Sequence, residues 1–254
     1  MIGIPDSLVE FFEKNPRPAL AFSGGVDSTY LMFVCNRLNV DMIPVYVAGS
    51  FQTVNELVNV DNLCNRYGFS PLHLEVNNLA TKEIVQNDEN RCYYCKKLMF
   101  YLMWSKVRQF NRAYLMDGTN ASDDPAERPG MKALEEMGVR SPLRECGITK
   151  EDVRRYSKEA GIPNYDAPSN SCLATRIATG IPLTEDLLYR TEKAEKDLRM
   201  IGLTNIRVRT LENDRARLEV PESQLDFLEE NKGEVEQTIL KYYDGVTYGT
   251  RKTR

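Results

Sequence analysis

Apolar residues recur along the first 180 positions in short runs that switch between a strand-like and a helix-like period. Residues 1–12 read as a short amphipathic helix, 19–22 as a short apolar strand and 29–38 as a helix. A β-branched strand follows at 42–48, then a helix at 53–67 and a strand at 71–76. A helix around 92–110, a buried strand at 113–117 and a helix at 151–160 continue the pattern, before a proline-punctuated loop at 161–170. Strands alternating with helices predict an α/β fold, a parallel sheet covered by helices on both faces. Ligands of such sheets collect beyond the carboxyl ends of the strands. The turns after 19–22 and after 113–117 both fall there.

The pattern changes after Gly180-Ile181-Pro182. Residues 184–201 form a charged helix with apolar spacing at Leu187, Leu188, Ala194 and Leu198, opened by Thr184 as a cap. Two alternating strands come next. The first sets Ile206 and Val208 against Arg207 and Arg209; the second sets Ala216, Leu218 and Val220 against Arg217 and Glu219. A helix at 222–230 and a final amphipathic stretch complete a small C-terminal α+β domain. The expected boundary lies near residue 180, giving domains 1–180 and 181–254.

Composition narrows the class. A chain of 254 residues holds one sizeable core or two modest ones, and 42% hydrophobic with 28% charged residues is ordinary for a globular protein. Lys+Arg 33 against Asp+Glu 37 leaves a net charge of −4, without the basic excess that marks nucleic-acid binders. Nucleic acid is therefore not an expected partner. There is no run of ~18 apolar residues and no basic-then-apolar leader. The expected compartment is the cytoplasm, with no membrane partner and a homo-oligomeric state.

The chemistry begins at Ser23-Gly24-Gly25-Val26-Asp27-Ser28, set between the first strand and the first long helix. Glycines let the backbone approach a phosphate, and the N–H groups that open the helix face the anion. Ser23 and Ser28 add hydroxyl donors, and Asp27 offers a carboxylate for Mg²⁺ against the phosphate oxygens. No lysine follows the glycines, so this is not the loop that serves γ-phosphate transfer. The bland alternative is a Gly-Gly turn with Asp27 and Ser28 as helix-capping residues.

In a cytosolic chain, the six cysteines read as packed thiols, metal ligands or catalytic groups rather than disulfides. Cys35 and Cys64 lie in apolar helical patterns and read as core; Cys146, in a loop, is open. Cys92 and Cys95 sit in the first turn of a helix beside Arg91, Lys96 and Lys97, where cations and the helix end favour thiolates. Such a pair serves zinc, an Fe–S cluster, a redox couple or plain packing. His73, the one histidine, lies within a strand and is a poor candidate for a fourth zinc ligand. Cys172 stands in a loop-like segment, 167–177. Tyr93, Tyr94 and Trp104 read as packing, and Asp123 and Asp124 as loop residues unless a ligand claims them.

SGGVDS at 23–28 resembles the signature of the PP-loop ATP pyrophosphatases. The full series is more specific: RCYYCKK at 91–97, DGTN at 117–120 with Asp123 and Asp124, RPG at 128–130, SPLRE at 141–145 and CLATRI at 172–177. In this order the motifs resemble the LarE family of ATP-dependent sulfur transferases, over about residues 20 to 220. That resemblance implies a PP-loop (HUP-like) nucleotide-binding domain. ATP phosphates would lie on Ser23, Gly24, Gly25, Asp27 and Ser28, and the adenosine end near Asp117, Gly118 and Thr119. It further implies that Cys172 delivers sulfur with Arg176 beside it. Arg207, Arg209 and Glu219 would lie near a phosphate or a metal such as Mg²⁺. The substrate would be a small-molecule carboxylate, a pyridinium mononucleotide, activated as an acyl-adenylate with release of pyrophosphate and converted to a thiocarboxylate during nickel-pincer cofactor biosynthesis.

One branch of the family gives up the sulfur of the cysteine matching Cys172 once per chain. Another holds a [4Fe–4S] cluster on three cysteines and takes sulfide from a separate donor. Cys92, Cys95 and Cys172 match the cluster branch. Departures exist: Ala178-Thr179-Gly180 replaces the family's PYG, residues 210–214 replace its His-Gly turn, and the ending at 248–251 is only loosely similar. They bear on the acceptor more than on adenylation. The rival functions are cluster-dependent tRNA thiolation, amide-forming adenylation, and a non-enzymatic nucleotide sensor or cluster carrier. Thiolation needs RNA, which the acidic balance and the short basic end at 251–254 do not favour.

Overall fold

The computed structural model describes residues 2–124, 129–168 and 171–251. Arg128 of the RPG motif, Ser169 and Asn170 of the segment before Cys172, and Lys252, Thr253 and Arg254 lie outside the described residues. The elements run in the order α1 (Asp6–Lys14), β1 (Pro18–Ala21), α2 (Val26–Arg37), β2 (Ile43–Gly49), α3 (Val54–Arg66), β3 (Leu72–Val76), α4 (Lys82–Val85) and α5 (Arg91–Val107). They continue with β4 (Tyr114–Met116), α6 (Gly130–Glu136), α7 (Pro142–Glu145), α8 (Lys150–Glu159), α9 (Glu185–Ile201), β5 (Arg207–Leu211), β6 (Arg215–Val220), α10 (Leu225–Glu230), α11 (Lys232–Ile239) and β7 (Gly245–Thr250).

The chain divides into two compact units. One holds Met1–Gly49, Val54–Val76 and Cys92–Ala167; the other holds Ser50–Thr53, Asn77–Arg91 and Pro168–Arg254.

The first unit is built on an all-parallel sheet of order β3-β2-β1-β4. Its strands are short and apolar because helices cover both faces, as in Val45 and Leu115, which are fully buried. One face carries a core of Leu8, Phe12, Leu20, Tyr30, Leu31 and Met32; the other packs Val47, Phe100, Met103 and Leu134. β1 leads outward to β2 and β3 on one side, and β4 returns on the other. The strand order therefore reverses between β1 and β4, and the crevice beyond their carboxyl ends is the topological switch point where such sheets bind ligands. An isolated bridge from Met116 to Arg140 extends β4's free edge. Arg140 is held there by a forked contact with Glu145, and that guanidinium keeps the Glu145 carboxyl below the ordinary range.

The second unit has a three-stranded sheet, β5-β6-β7, with β5/β6 antiparallel and β6/β7 parallel. Alternation sorts its faces: Val208, Ala216, Leu218 and Val220 pack with Ala194, Leu198, Val235 and Ile239 of the helices. Arg207, Arg209, Arg217 and Glu219 take the opposite face. Thr184 caps α9 by accepting from the Leu187 N–H at 3.1 Å, as its position predicts. The stretch after 230 resolves into α11 and β7. Among the described residues no helix is long and apolar enough to cross a membrane.

Candidate functional site

At the switch point, residues 22–25 turn from β1 into α2. Gly24 has φ +73°, and a Cβ there would meet Asn59 Nδ2 at 3.1 Å, so glycine alone fits without strain. Gly25 is the N-cap of α2 and brings no side-chain cap, which leaves the opening amides for an incoming group. Ser23 and Ser28 meet through their hydroxyls at 3.1 Å. Ser28 Oγ also donates to the Gly25 carbonyl at 3.1 Å, and the Gly25 N–H donates to Ser23 Oγ at 3.3 Å. Asn164 fixes the loop from outside by donating to the Gly24 carbonyl and to Thr29 Oγ1. The result is a preformed concave loop of amides and hydroxyls on the positive end of a twelve-residue helix, the chemistry of a phosphate seat.

The turn after β4 faces it. Asp117 is buried and accepts from the Thr119 N–H at 3.1 Å, Thr119 Oγ1 at 2.6 Å and Ser141 Oγ at 2.8 Å. Its carboxylate thus shapes the turn. A Cβ on Gly118 would stand 3.1 Å from both the Ser28 nitrogen and the Asp27 Cβ, so any side chain there would push this turn away from the first turn of α2. Asn120 Nδ2 donates to Asp27 Oδ1 at 3.3 Å. Asp27 also forms an ion pair with Lys150, the first residue of α8. Neither Lys150 nor Asn164 stands out in the sequence; the only hint is Thr149, whose capping box with Asp152 fixes where α8 begins.

Cys92 and Cys95 occupy the first turn of α5 and are partly exposed, three residues apart and so on neighbouring positions of one side. Of the flanking residues, Lys97 pairs with Glu136 at 2.9 Å and donates to Tyr93 at 3.0 Å, and the Lys96 stem lies against Gly130. Cys35 and Cys64 are fully buried, and burial pushes the Cys64 thiol up to about 12 and the Cys35 thiol higher still. They are core, as their pattern predicts.

In the second unit Cys172 precedes a short 3₁₀ turn, Leu173–Arg176, and is partly exposed. The turn is firmly held. Arg176 is buried and pairs with Glu195 at 2.9 Å, with 7% and 4% of the two side chains exposed. Its guanidinium also donates to the Ser171 carbonyl at 2.6 Å and Ser171 Oγ at 3.0 Å. Glu195 accepts further from the Val208 N–H at 3.1 Å and from Arg199 at 2.8 Å. From the other side Arg91 donates to the Ala174 carbonyl at 3.0 Å. Asn87 donates to the carbonyls of Ala178 and Ile181 at 2.9 and 2.8 Å. Removing one partner of a buried pair strands the other charge. Glu195→Ala should therefore destabilise the protein by about 3–5 kcal/mol in urea unfolding, and Glu195→Gln by clearly less.

Next to this turn, Arg209 pairs with Glu219 at 2.8 Å and donates to the Thr175 carbonyl at 2.8 Å. Arg207 is half-buried, and its Nε has no hydrogen-bond partner among the described residues. Burial, then the charges of Arg251, Arg176 and Arg209, lower its guanidinium to about 10. Arg251 is lowered for the same reasons. Arg176 and Arg209 are each neutralised by a carboxylate, Glu195 and Glu219, while Arg207 Nε carries no hydrogen bond among the described residues. Among the described residues no group of three or more His, Cys, Asp or Glu side chains is gathered closely enough to hold a metal ion.

No family model matches the chain. The pyridinium-3,5-bisthiocarboxylic acid mononucleotide synthase of Lactiplantibacillus plantarum is 34% identical over 226 residues, which cover 87% of this chain and 81% of that protein. An uncharacterized protein of Synechocystis is 32% identical over 240 residues, 93% of this chain and 89% of its own length. One component of the glutamine-hydrolyzing GMP synthase of Sulfurisphaera tokodaii is 27% identical over 165 residues, 58% of this chain and 44% of that one. The last likeness spans only part of each chain; the first runs through most of both. With a glycine loop opening a helix at the switch point of a parallel sheet and that long likeness, the chain belongs to the LarE family of sulfur transferases within the PP-loop ATP pyrophosphatases.

Proposed function

We propose that this protein uses ATP·Mg²⁺ to activate a substrate carboxylate and then replaces the activated oxygen with sulfur, giving a thiocarboxylate of the kind made for the nickel-pincer cofactor. The observation that carries the reading is the preformed loop at 23–28, closed on by Gly118 at the switch point, in a chain similar to a bisthiocarboxylic acid mononucleotide synthase. The carboxylate oxygen attacks the α-phosphorus, the bond to the β-phosphate oxygen breaks, and pyrophosphate leaves. The helix amides and the Ser23 and Ser28 hydroxyls lower the energy of the developing charge. Sulfide then attacks the acyl carbon, the acyl–oxygen bond breaks with its electron pair going to AMP, and a proton is released to solvent.

Arg207, Arg209 and Arg251 form the anion-binding face for a phosphorylated substrate such as a pyridinium mononucleotide. Arg176 is a positioning residue, holding the turn that carries Cys172. Cys92 and Cys95 on one side of α5, with Cys172, match the three-cysteine pattern of the family's cluster branch and are proposed as the ligands of a [4Fe–4S] cluster; all three are partly exposed, as Cys146 also is. Cys92, Cys95 and Cys172 would hold such a cluster, which would supply Lewis-acid chemistry toward an exogenous sulfide. The test is carboxylate-dependent exchange of labelled pyrophosphate into ATP. Exchange with a pyridinium carboxylate mononucleotide and none without it is expected; no exchange with any carboxylate contradicts the adenylation step.

A further inference from the structure

The ion pair between Lys150 and Asp27 is poorly explained as a device for stability. Its side chains are 28% and 22% exposed, so both groups lose part of their hydration to make the pair, which offsets much of its attraction. Moreover, Lys150 opens α8, and Asp27 lies in the first turn of α2, so the ammonium stands at the positive ends of two helices. Cations are unfavourable there and anions favourable. The backbone at this point is fixed: the Lys150 N–H donates to Ser122 Oγ at 3.0 Å, and the capping box of Thr149 and Asp152 sets the start of the helix. Only the side chain is left to move. The loop at 23–28, meanwhile, has no lysine of its own to meet the charge of a triphosphate.

We propose that Lys150 is the polyphosphate-binding cation of this loop, parked on Asp27 until nucleotide arrives. When the phosphates take the α2 amides, the ammonium turns from the Asp27 carboxylate to the pyrophosphate half of ATP, and Asp27 becomes available to the accompanying Mg²⁺. The inference rests on the nucleotide reading above and adds a residue to it. Parking serves the loop as well, because it keeps the Asp27 carboxylate neutralised beside Asn120.

Calorimetric titration of ATP, inorganic pyrophosphate and AMP, each with Mg²⁺, tests it on wild type, Lys150→Met, Lys150→Arg and the double variant Lys150→Met/Asp27→Asn. Lys150→Met should weaken ATP and pyrophosphate by about ten- to a hundredfold, the worth of one charge-assisted contact. AMP should bind as in wild type, and Lys150→Arg should keep part of the affinity. The double variant should stay weak, because it restores neither the lysine–phosphate contact nor the Asp27 carboxylate that faces Mg²⁺. Recovery of wild-type ATP affinity in the double variant would reduce Lys150 to a neutraliser of Asp27 and overturn the proposal. So would undiminished ATP binding by Lys150→Met. Wild-type protein that binds neither ATP nor pyrophosphate would instead bring down the nucleotide reading itself.

Discussion

Replacing Cys172 with alanine is expected to abolish thiocarboxylate formation while pyrophosphate exchange continues at the wild-type rate. The division follows from where the groups lie in the chain's two units. The loop at 23–28, proposed to seat the phosphates, and its supports Gly118, Asn120 and Asn164 all belong to the first unit, and the bonds that shape the loop are made among them. Cys172 belongs to the second. The substitution should not loosen its turn, because the anchors there are the Arg176 guanidinium on Ser171 and Glu195, and Arg91 on the Ala174 carbonyl. Acyl-adenylate should then accumulate or hydrolyse, seen as AMP formed without thiocarboxylate. Loss of pyrophosphate exchange along with sulfur transfer would contradict this separation of roles.

Arg207→Met should leave the melting temperature unchanged or raise it, yet lower kcat/KM for the phosphorylated substrate by about ten- to a hundredfold. Arg207 is a base whose pKa is lower in the folded chain, so folding disfavours its charged form. That penalty is present in full at neutral pH and is relieved only as pH rises past about 10. A methionine of similar length removes the charge and fills the space. Stability held back in this way is what a binding site looks like before its anion arrives. The loss should fall on the KM of the substrate and leave that of ATP unmoved, and Arg207→Lys should restore part of it. A variant that unfolds more easily and keeps its substrate KM would assign Arg207 to structure alone.

Much of the fold is legible in the chain. Buried strands such as β2 and β4 show as β-branched or apolar runs, and α9 shows through Thr184 and its apolar spacing. β7 does not. Its residues are half-buried without clear alternation, and it is a strand because β6 offers a free edge parallel to it. The segments Ser50–Thr53 and Asn77–Arg91 join the second unit although they are embedded in the sequence of the first. Local periodicity carries no sign of that, since it depends on long-range bonds such as those of Asn87 to Ala178 and Ile181.

The candidate site divides the same way. SGGVDS is readable because a phosphate loop needs particular small residues at fixed spacing. Asp117, Thr119 and Ser141 show as motif letters, but that they bond to one another appears only in three dimensions. Lys150, Asn164, Glu195 and Arg251 make bonds that reach across the fold, and apart from Thr149 beside Lys150 nothing in their immediate neighbours marks them. Arg207 and Arg209 alternate like any solvated strand face; their half-burial and mutual repulsion emerge only when the turn at Leu173–Arg176 lies beside them.

The most direct test of the account is a single anaerobic reaction. Iron–sulfide-reconstituted protein is mixed with ATP, Mg²⁺, sulfide and a pyridinium carboxylate mononucleotide. Thiocarboxylate and AMP are then counted per chain, and the protein is weighed by mass spectrometry. Sulfur transfer by this chain predicts thiocarboxylate and AMP in equal amounts, several per chain, with the protein mass unchanged. No thiocarboxylate would contradict the function. One per chain, with Cys172 lighter by the mass of hydrogen sulfide, would contradict the cluster and make that residue the sulfur source.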